Sequence, residues 1–345
     1  MSNTKSISNT KPVPTSFINE NMIIEVSNDE KNIIQNLLNE INFDLGLIDS
    51  YMLNELQAVA YNLPDRIKYA LINFKRRPNT YGTLLFRNLP TDVKLPRTPD
   101  DGQPSIEKAS NVSELCLFLF MLYLGEPIGY ADEKNGQLIH DICPIKGKEK
   151  GLENSGSQVF FTYHTEDAIH PYKPDHLALF CLRSDHNKEA QTETASIVKA
   201  LELLPSAAVS ILREPLFKLR PPTSFNSDEL STTIPVLSGS YMEPQMVIHC
   251  SLMEGLNEDA KWALELLKNA LSNVSIKIPL CPGDLIIIDN RMAAHARSSF
   301  TPRYDGNDRW LQRIFTVYDI RKSSFSRNHG SNVCIPLKYE LKLSK

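Results

Sequence analysis

An excess of charge of either sign is missing from this sequence: 37 Lys and Arg oppose 41 Asp and Glu, and the basic residues are scattered. That excludes a basic stripe for nucleic acid. Long apolar runs are missing too. The longest, Leu115 to Leu124, falls well short of the roughly 18 residues of a membrane span and reads as a buried helix. The opening MSNTKSISNTKPVPTSF is polar and has no apolar stretch of the secretory kind, so a cytoplasmic protein without membrane contact is expected. No C-x-x-C pair occurs among Cys116, Cys143, Cys181, Cys250, Cys281 and Cys334, most of which lie in apolar stretches. They read as reduced, buried thiols, against a disulfide framework or a structural zinc site. Neither G-x-G-x-x-G nor G-x-x-x-x-G-K is present, which removes the main support for a nucleotide-binding fold.

What is present is a chain of 345 residues, enough for one large domain or two ordinary ones at about 150 residues each. Residues 1–20 read as a disordered segment and 21–345 as a single domain, with a helical part over about 21–130 and a strand-rich core over about 80–320. Helical spacing marks Lys31 to Ile41, Val112 to Leu124, Ala195 to Leu204 and Glu258 to Leu271. Strands are expected from Thr83, over Val159 to Tyr163, Leu177 to Leu182, Gln245 to His249, Ser275 to Pro279, Asp284 to Asp289 and Leu311 to Tyr318. The turn-rich stretch Pro96 to Ser105 reads as a mobile surface loop. Short strands with irregular helical insertions and no repeating βα unit point to a mainly β fold with helical additions, an antiparallel barrel or jelly roll.

The chemistry concentrates in a few places. His164 and Glu166 follow a strand, where positions i and i+2 share a face, so both would project into a barrel interior. One imidazole, one carboxylate and a distant second imidazole form the facial triad of non-haem Fe(II) oxygenases, which leaves coordination positions open. His295 is the distant candidate, just beyond the apolar run LIIIDN and flanked by small alanines. Arg309 follows fourteen residues later and Arg313 four beyond that, within W-L-Q-R-I-F-T-V. An arginine on an apolar strand is costly unless it meets an anion, and its planar fork suits a carboxylate.

H-T-E at 164–166, D-N-R-x-x-x-H at 289–295 and R-Y-D-G-x-D-R-W-L-x-R at 303–313 together resemble the clavaminate synthase-like branch of the Fe(II)/2-oxoglutarate oxygenases. Within that branch the chain is similar to hydroxylases of free basic amino acids and to arginine and asparagine hydroxylases. The resemblance runs over about 80–320 and is dense from 159. It implies a double-stranded β-helix, or jelly roll, wrapped by helices. It further implies Fe(II) on His164, Glu166 and His295, with 2-oxoglutarate and O2 as co-substrates. Arg309 would hold the distal carboxylate of 2-oxoglutarate with help from the Thr192 hydroxyl. Arg313 would hold the α-carboxylate of an amino-acid substrate, Glu166 its α-amine, and Gln137 would contact the substrate as well.

The presence of Glu166 favours hydroxylation, because halogenating relatives replace this carboxylate by a small residue. Asp167 resembles the ammonium-binding acid of lysine-acting relatives, whereas the acidic pair of arginine hydroxylases is missing from Val247 to Ser251. The expected reaction is hydroxylation of free L-lysine at C4 or C3, with 2-oxoglutarate going to succinate and CO2. Arginine, asparagine or a carrier-bound amino acid are the alternative substrates, and a catalytically inactive binding barrel is the alternative class. A zinc hydrolase would leave Arg309, Arg313 and Thr192 without a role, and H-E-x-x-H is absent. The expected partner is a small amino acid; the sequence leaves self-association open.

Overall fold

The computed structural model describes residues 22–41, 48–151, 154–220 and 232–338. The expectation for residues 1–20 lies outside them. Two sheets face one another. The larger runs Ile23–Glu25, Thr83–Arg87, Leu285–Asp289, His176–Arg183, Trp310–Val317 and Glu126–Pro127, with Ile139–Ile142 also paired to Trp310–Val317. The smaller runs Ile276–Pro279, Gln191–Ser196, Ala293–Arg297 and Phe161–His164. Apart from the parallel pair Ile23–Glu25 and Thr83–Arg87, every pairing in both sheets is antiparallel. This is the double-stranded β-helix with helices packed outside.

Side-chain alternation explains the order of layers. In His176–Arg183, Leu177, Leu179 and Cys181 face the interior between the sheets. Ala178, Phe180 and Leu182 face outward into a second core. Leu285–Asp289 does the same, with Ile286 and Ile288 inward and Leu285 and Ile287 outward. A strand covered on both faces reads as a continuous apolar run instead of an alternating one. Truncating Ile286 or Ile287 to Ala should cost about 2–5 kcal/mol.

The outer layer on the larger sheet is built from Asn28–Glu40, Ser50–Ala60, Asp65–Arg76 and Val112–Met121. The first is started by Ser27, whose hydroxyl accepts from the Glu30 N–H while the Glu30 carboxylate accepts from the Ser27 N–H. Arg66 closes on the same carboxylate at 2.6 Å and holds its pKa down at about 2. Val112–Met121 is buried almost all round, as its LCLFLF run requires. The smaller sheet is backed by Glu258–Val274, capped by Asn257. The turn at Pro282-Gly283-Asp284 needs its glycine: φ is +85°, and a Cβ there would lie 2.8 Å from the Leu89 carbonyl oxygen.

Three local expectations change. Ala195 and Ser196 finish a strand and the helix is only Ile197–Leu201, because Ala195 pairs with Ala294 in the sheet. The run from Gln245 to His249 is a short strand, Pro244–Met246, hairpinned onto Leu237–Gly239. His249 then makes a single bridge to His164. The loop from Pro96 is tied down. The Thr98 hydroxyl donates to the Asp308 carbonyl at 2.7 Å, and Arg183 donates to the Pro96 carbonyl and Thr98 hydroxyl. All six cysteines are free, four of them buried and Cys250 and Cys281 half-buried. Among the described residues, no helix is long and apolar enough to cross a membrane.

Candidate active site

The site grows from one pairing between strands of the smaller sheet. Phe161–His164 lies against Ala293–Arg297 with His164 directly opposite His295, their ring centroids 4.2 Å apart. The strand ends at His164, so its pleat does not carry Glu166. The Asn290 amide places Glu166 instead. The Glu166 N–H donates to Asn290 Oδ1 at 2.7 Å, and Asn290 Nδ2 donates back to the Glu166 carbonyl at 3.1 Å and to the Pro174 carbonyl at 2.9 Å. Thr165 is pinned to the Ile248 backbone on the other side. Asp167 follows in the left-handed region, φ 46°, which turns the chain sharply.

His164, Glu166 and His295 are all buried, and each offers a ligand atom within 4.8 Å of the others. His164 Nδ1–H donates to the Thr162 carbonyl at 2.8 Å, which leaves Nε2 with a lone pair, and that atom is buried without a hydrogen-bond partner. His295 Nε2 lies 3.5 Å from Glu166 Oε2. Burial, with His295 alongside, keeps His164 neutral, its pKa well below the ordinary imidazole value. Burial opposes ionisation of Glu166, yet the Arg313 guanidinium and His295 overcome it and hold the carboxyl well below the usual range. Two imidazoles and one ionised carboxylate at this spacing could hold one divalent ion, and the orphaned Nε2 fits that reading. His249, its pKa lowered to about 4 by burial, stacks near His164 at 5.3 Å.

One flank of these donors is positive. His295 and Arg297 share a face with Thr194 and Thr192 on the neighbouring strand. Thr192, Arg297 and Arg309 line one small cavity with His295. Arg297 donates to the carbonyls of Gly156 and Val159. Arg309 is buried, lies over the Phe300 ring, and meets no carboxylate among the described residues. Burial pulls its pKa down, opposed only in part by Cys181, Asp185 and Cys143.

The other flank is negative. Arg313 donates to Glu166 Oε2 at 2.8 Å, to Glu133 Oε2 at 3.0 Å and to His140 Nδ1 at 2.9 Å. His140 Nε2–H donates to the Gln137 carbonyl, so its Nδ1 is the acceptor, and burial holds its pKa at about 3. Glu133, Glu166 and Asp167 form a carboxylate group within 4.8 Å. Burial, reinforced by Glu133, pushes the Asp167 carboxyl well up, and burial raises Glu133 likewise.

The structure thus gathers His164, Glu166, His295, Arg313 and Asp167 at one place, with Thr192 and Arg309 beside them. Gln137 lines a different cavity, behind Trp310–Val317, and reaches the site only through its carbonyl and His140. Sequence reasoning missed Asn290, Glu133, Arg297 and Thr194. Asn290 stood within the quoted D-N-R, and a polar residue closing an apolar strand was the available signal; Arg297 and Thr194 depend on strand register, and Glu133 on the turn after Gly129–Tyr130.

Comparison with known proteins follows the same lines. Residues 73–315 match the family described as taurine catabolism dioxygenase TauD, TfdA family. The L-asparagine oxygenase of Streptomyces coelicolor is 36% identical over 266 residues, covering 76% of this chain and 79% of that protein. The L-lysine 3-hydroxylase of Catenulispora acidiphila is 31% identical over 286 residues, 81% of this chain and 79% of that one. A non-heme iron oxygenase solved with Fe and alpha-ketoglutaric acid superposes with a TM-score of 0.82 at 30% identity, over 91% of this chain and 99% of the other.

Proposed function

We propose, from the premise that this chain belongs to the TauD/TfdA family of dioxygenases, that it is an Fe(II)- and 2-oxoglutarate-dependent hydroxylase of a free amino acid, L-lysine first. One observation carries the reading. Three buried donors converge with an orphaned imidazole nitrogen, beside a buried arginine that contacts no carboxylate among the described residues. His164, Glu166 and His295 hold the iron. Bound there with 2-oxoglutarate, iron supplies O2 activation, decarboxylation to succinate and insertion of one oxygen atom into an unactivated C–H bond.

The protein's own residues do the rest. Arg309 receives the distal carboxylate of 2-oxoglutarate, with the Thr192 hydroxyl donating to the same group. Two phenylalanines, Phe161 and Phe300, keep that corner dry. Arg313 receives the α-carboxylate of the amino acid. Its Nη2 donates to Glu133, and the incoming carboxylate takes that place and frees Glu133. Glu166 meets the α-amine with an oxygen not used on the metal.

Glu133 and Asp167 are the basis for lysine. They are a half-buried and a buried acid beside one guanidinium already shared with Glu166, and a side-chain ammonium supplies the missing positive charge. The L-lysine 3-hydroxylase supports this choice. The higher identity to the L-asparagine oxygenase keeps asparagine as the second substrate, since an uncharged side-chain amide can also donate to Asp167.

The test is succinate release by the Fe(II)-loaded protein with 2-oxoglutarate and each proteinogenic amino acid in turn, followed by mass spectrometry. Lysine-stimulated turnover with a product heavier by one oxygen is the expected result. Stimulation by asparagine alone would discard lysine and keep the chemistry. Full turnover by Glu166→Ala would overturn the metal assignment.

A further inference from the structure

A cavity of about 300 Å³ shares Asn290 and Pro174 with the turn that holds Glu166. The Asn290 amide is spent, its oxygen on the Glu166 N–H and its nitrogen on the Glu166 and Pro174 carbonyls. The charged groups on the wall are Lys173, Arg291 and Lys322 against Asp175 and Asp319. Both acids are already answered. Asp175 Oδ1 takes Arg291 Nε at 2.5 Å and Nη2 as well, and Oδ2 takes the Tyr318 N–H at 2.6 Å. Asp319 is held by Arg321, which lies off the wall and donates Nε to Oδ1 at 2.8 Å and Nη2 to Oδ2 at 3.2 Å. Asp289, also off the wall, accepts the backbone N–H of Arg291.

Three cationic donors are left over. Lys173 is half-buried in Pro171-Tyr172-Lys173-Pro174, where the two proline rings stiffen the backbone and the Tyr172 carbonyl takes the Tyr130 hydroxyl at 2.6 Å. The Lys173 ammonium meets no acceptor among the described residues. Burial and Arg291 pull its pKa down, opposed only in part by Asp175. Arg291 spends Nε and Nη2 on Asp175 and leaves Nη1 unused by the described residues. Lys322 is exposed and forms no ion pair among them. A half-buried ammonium that has lost water and gained no carboxylate is costly, and a bound anion removes that cost. Two ammoniums and one open guanidinium N–H edge suit a head group with two charges and several acceptor oxygens. Ile128, Val247 and Val317 would take an apolar body, and Ser238 and Gln245 add uncharged polar groups. The volume is that of a compact ligand.

We infer that this cavity binds a small organic dianion, gripped by Lys173, Arg291 and Lys322. The site does not rest on the reading of the metal donors.

The test titrates phenyl phosphate, close to doubly charged at about pH 8, into the full-length protein without Fe(II) or 2-oxoglutarate, at low ionic strength and followed by calorimetry. A saturable signal that weakens with added salt is expected, with none from benzyl alcohol. Lys173→Met and Lys322→Met should each weaken binding by about tenfold or more, and Lys322 is exposed enough for its variant to fold normally. Arg309→Met should leave the affinity unchanged. Isophthalate in place of phenyl phosphate tells the two head groups apart: the tighter ligand identifies a phosphate or a pair of carboxylates. Absence of binding by both dianions, an equal response to benzyl alcohol, unchanged affinity in either lysine variant, or loss of binding in Arg309→Met would each overturn the site.

Discussion

The two flanks of the metal donors are built on opposite electrostatic plans. On one side Arg297 and Arg309 sit among Thr192, Leu179, Leu311 and Phe161, and Arg309 contacts no carboxylate among the described residues. On the other, Arg313 is outnumbered by Glu133, Glu166 and Asp167. Guanidiniums do not titrate in the working range, so under the proposed function the positive flank is a fixed receptor for a dianion. The negative flank holds carboxyls pushed up by burial and a neutral imidazole, groups chemically able to exchange partners and protons. A co-substrate that never varies calls for the first plan, and a substrate that must be told from its analogues calls for the second.

The largest expected effect tests the fixed side. Arg309→Met should weaken 2-oxoglutarate by about 2–5 kcal/mol, read as its KM, with the amino-acid KM little changed. The same variant should not lower the melting temperature in the absence of anion, because it removes a buried charge that has no partner; a marked drop would mean Arg309 is already compensated. Asn290→Ala, which frees the Glu166 backbone between the flanks, should reduce Fe(II) affinity by about 10–100-fold in a metal titration. Unchanged affinity would show that Thr165 alone suffices to hold the turn.

On the exchanging side, Asp167→Asn should raise the lysine KM by about tenfold and leave that of 2-oxoglutarate alone. If both move together, the flanks are not independent. The smallest effect is the pH profile. The folded pKa values of Glu133 and Asp167 are raised, so these carboxyls keep their protons to higher pH and a cation binds only their ionised form. Lysine affinity should therefore climb a few-fold from about pH 6 to about pH 8, whereas 2-oxoglutarate affinity stays flat, both measured by titration calorimetry.

Legibility in the sequence divides along the same line. His164, Glu166 and Asp167 are near neighbours in the chain, and Arg313 stands out as a charge in apolar company, with Arg309 four residues before it. Glu133, His140 and Arg297 do not stand out, because nothing local marks them. His140 reaches Arg313 because Ile139–Ile142 pairs with Trp310–Val317 in a register that puts the two residues opposite each other. A shift of one residue would have turned His140 outward and Asp141 inward. Gln137 shows the converse, since its expected substrate contact did not say on which side of Trp310–Val317 its side chain would lie.

The residues by themselves determined which chemistry was available: two imidazoles and a carboxylate for a metal, guanidiniums for carboxylates, and strands apolar enough to be covered on both faces. These follow from side-chain type and short spacing, which any chain carries without folding. Only the tertiary structure decided that Asn290 holds Glu166, that Arg309 contacts no carboxylate among the described residues while Arg313 is surrounded by three, and that Asp141 and Gln312 open onto a separate cavity. Strand register and the alternation of the pleat assign each side chain to a face, and those are properties of pairings between segments more than a hundred residues apart.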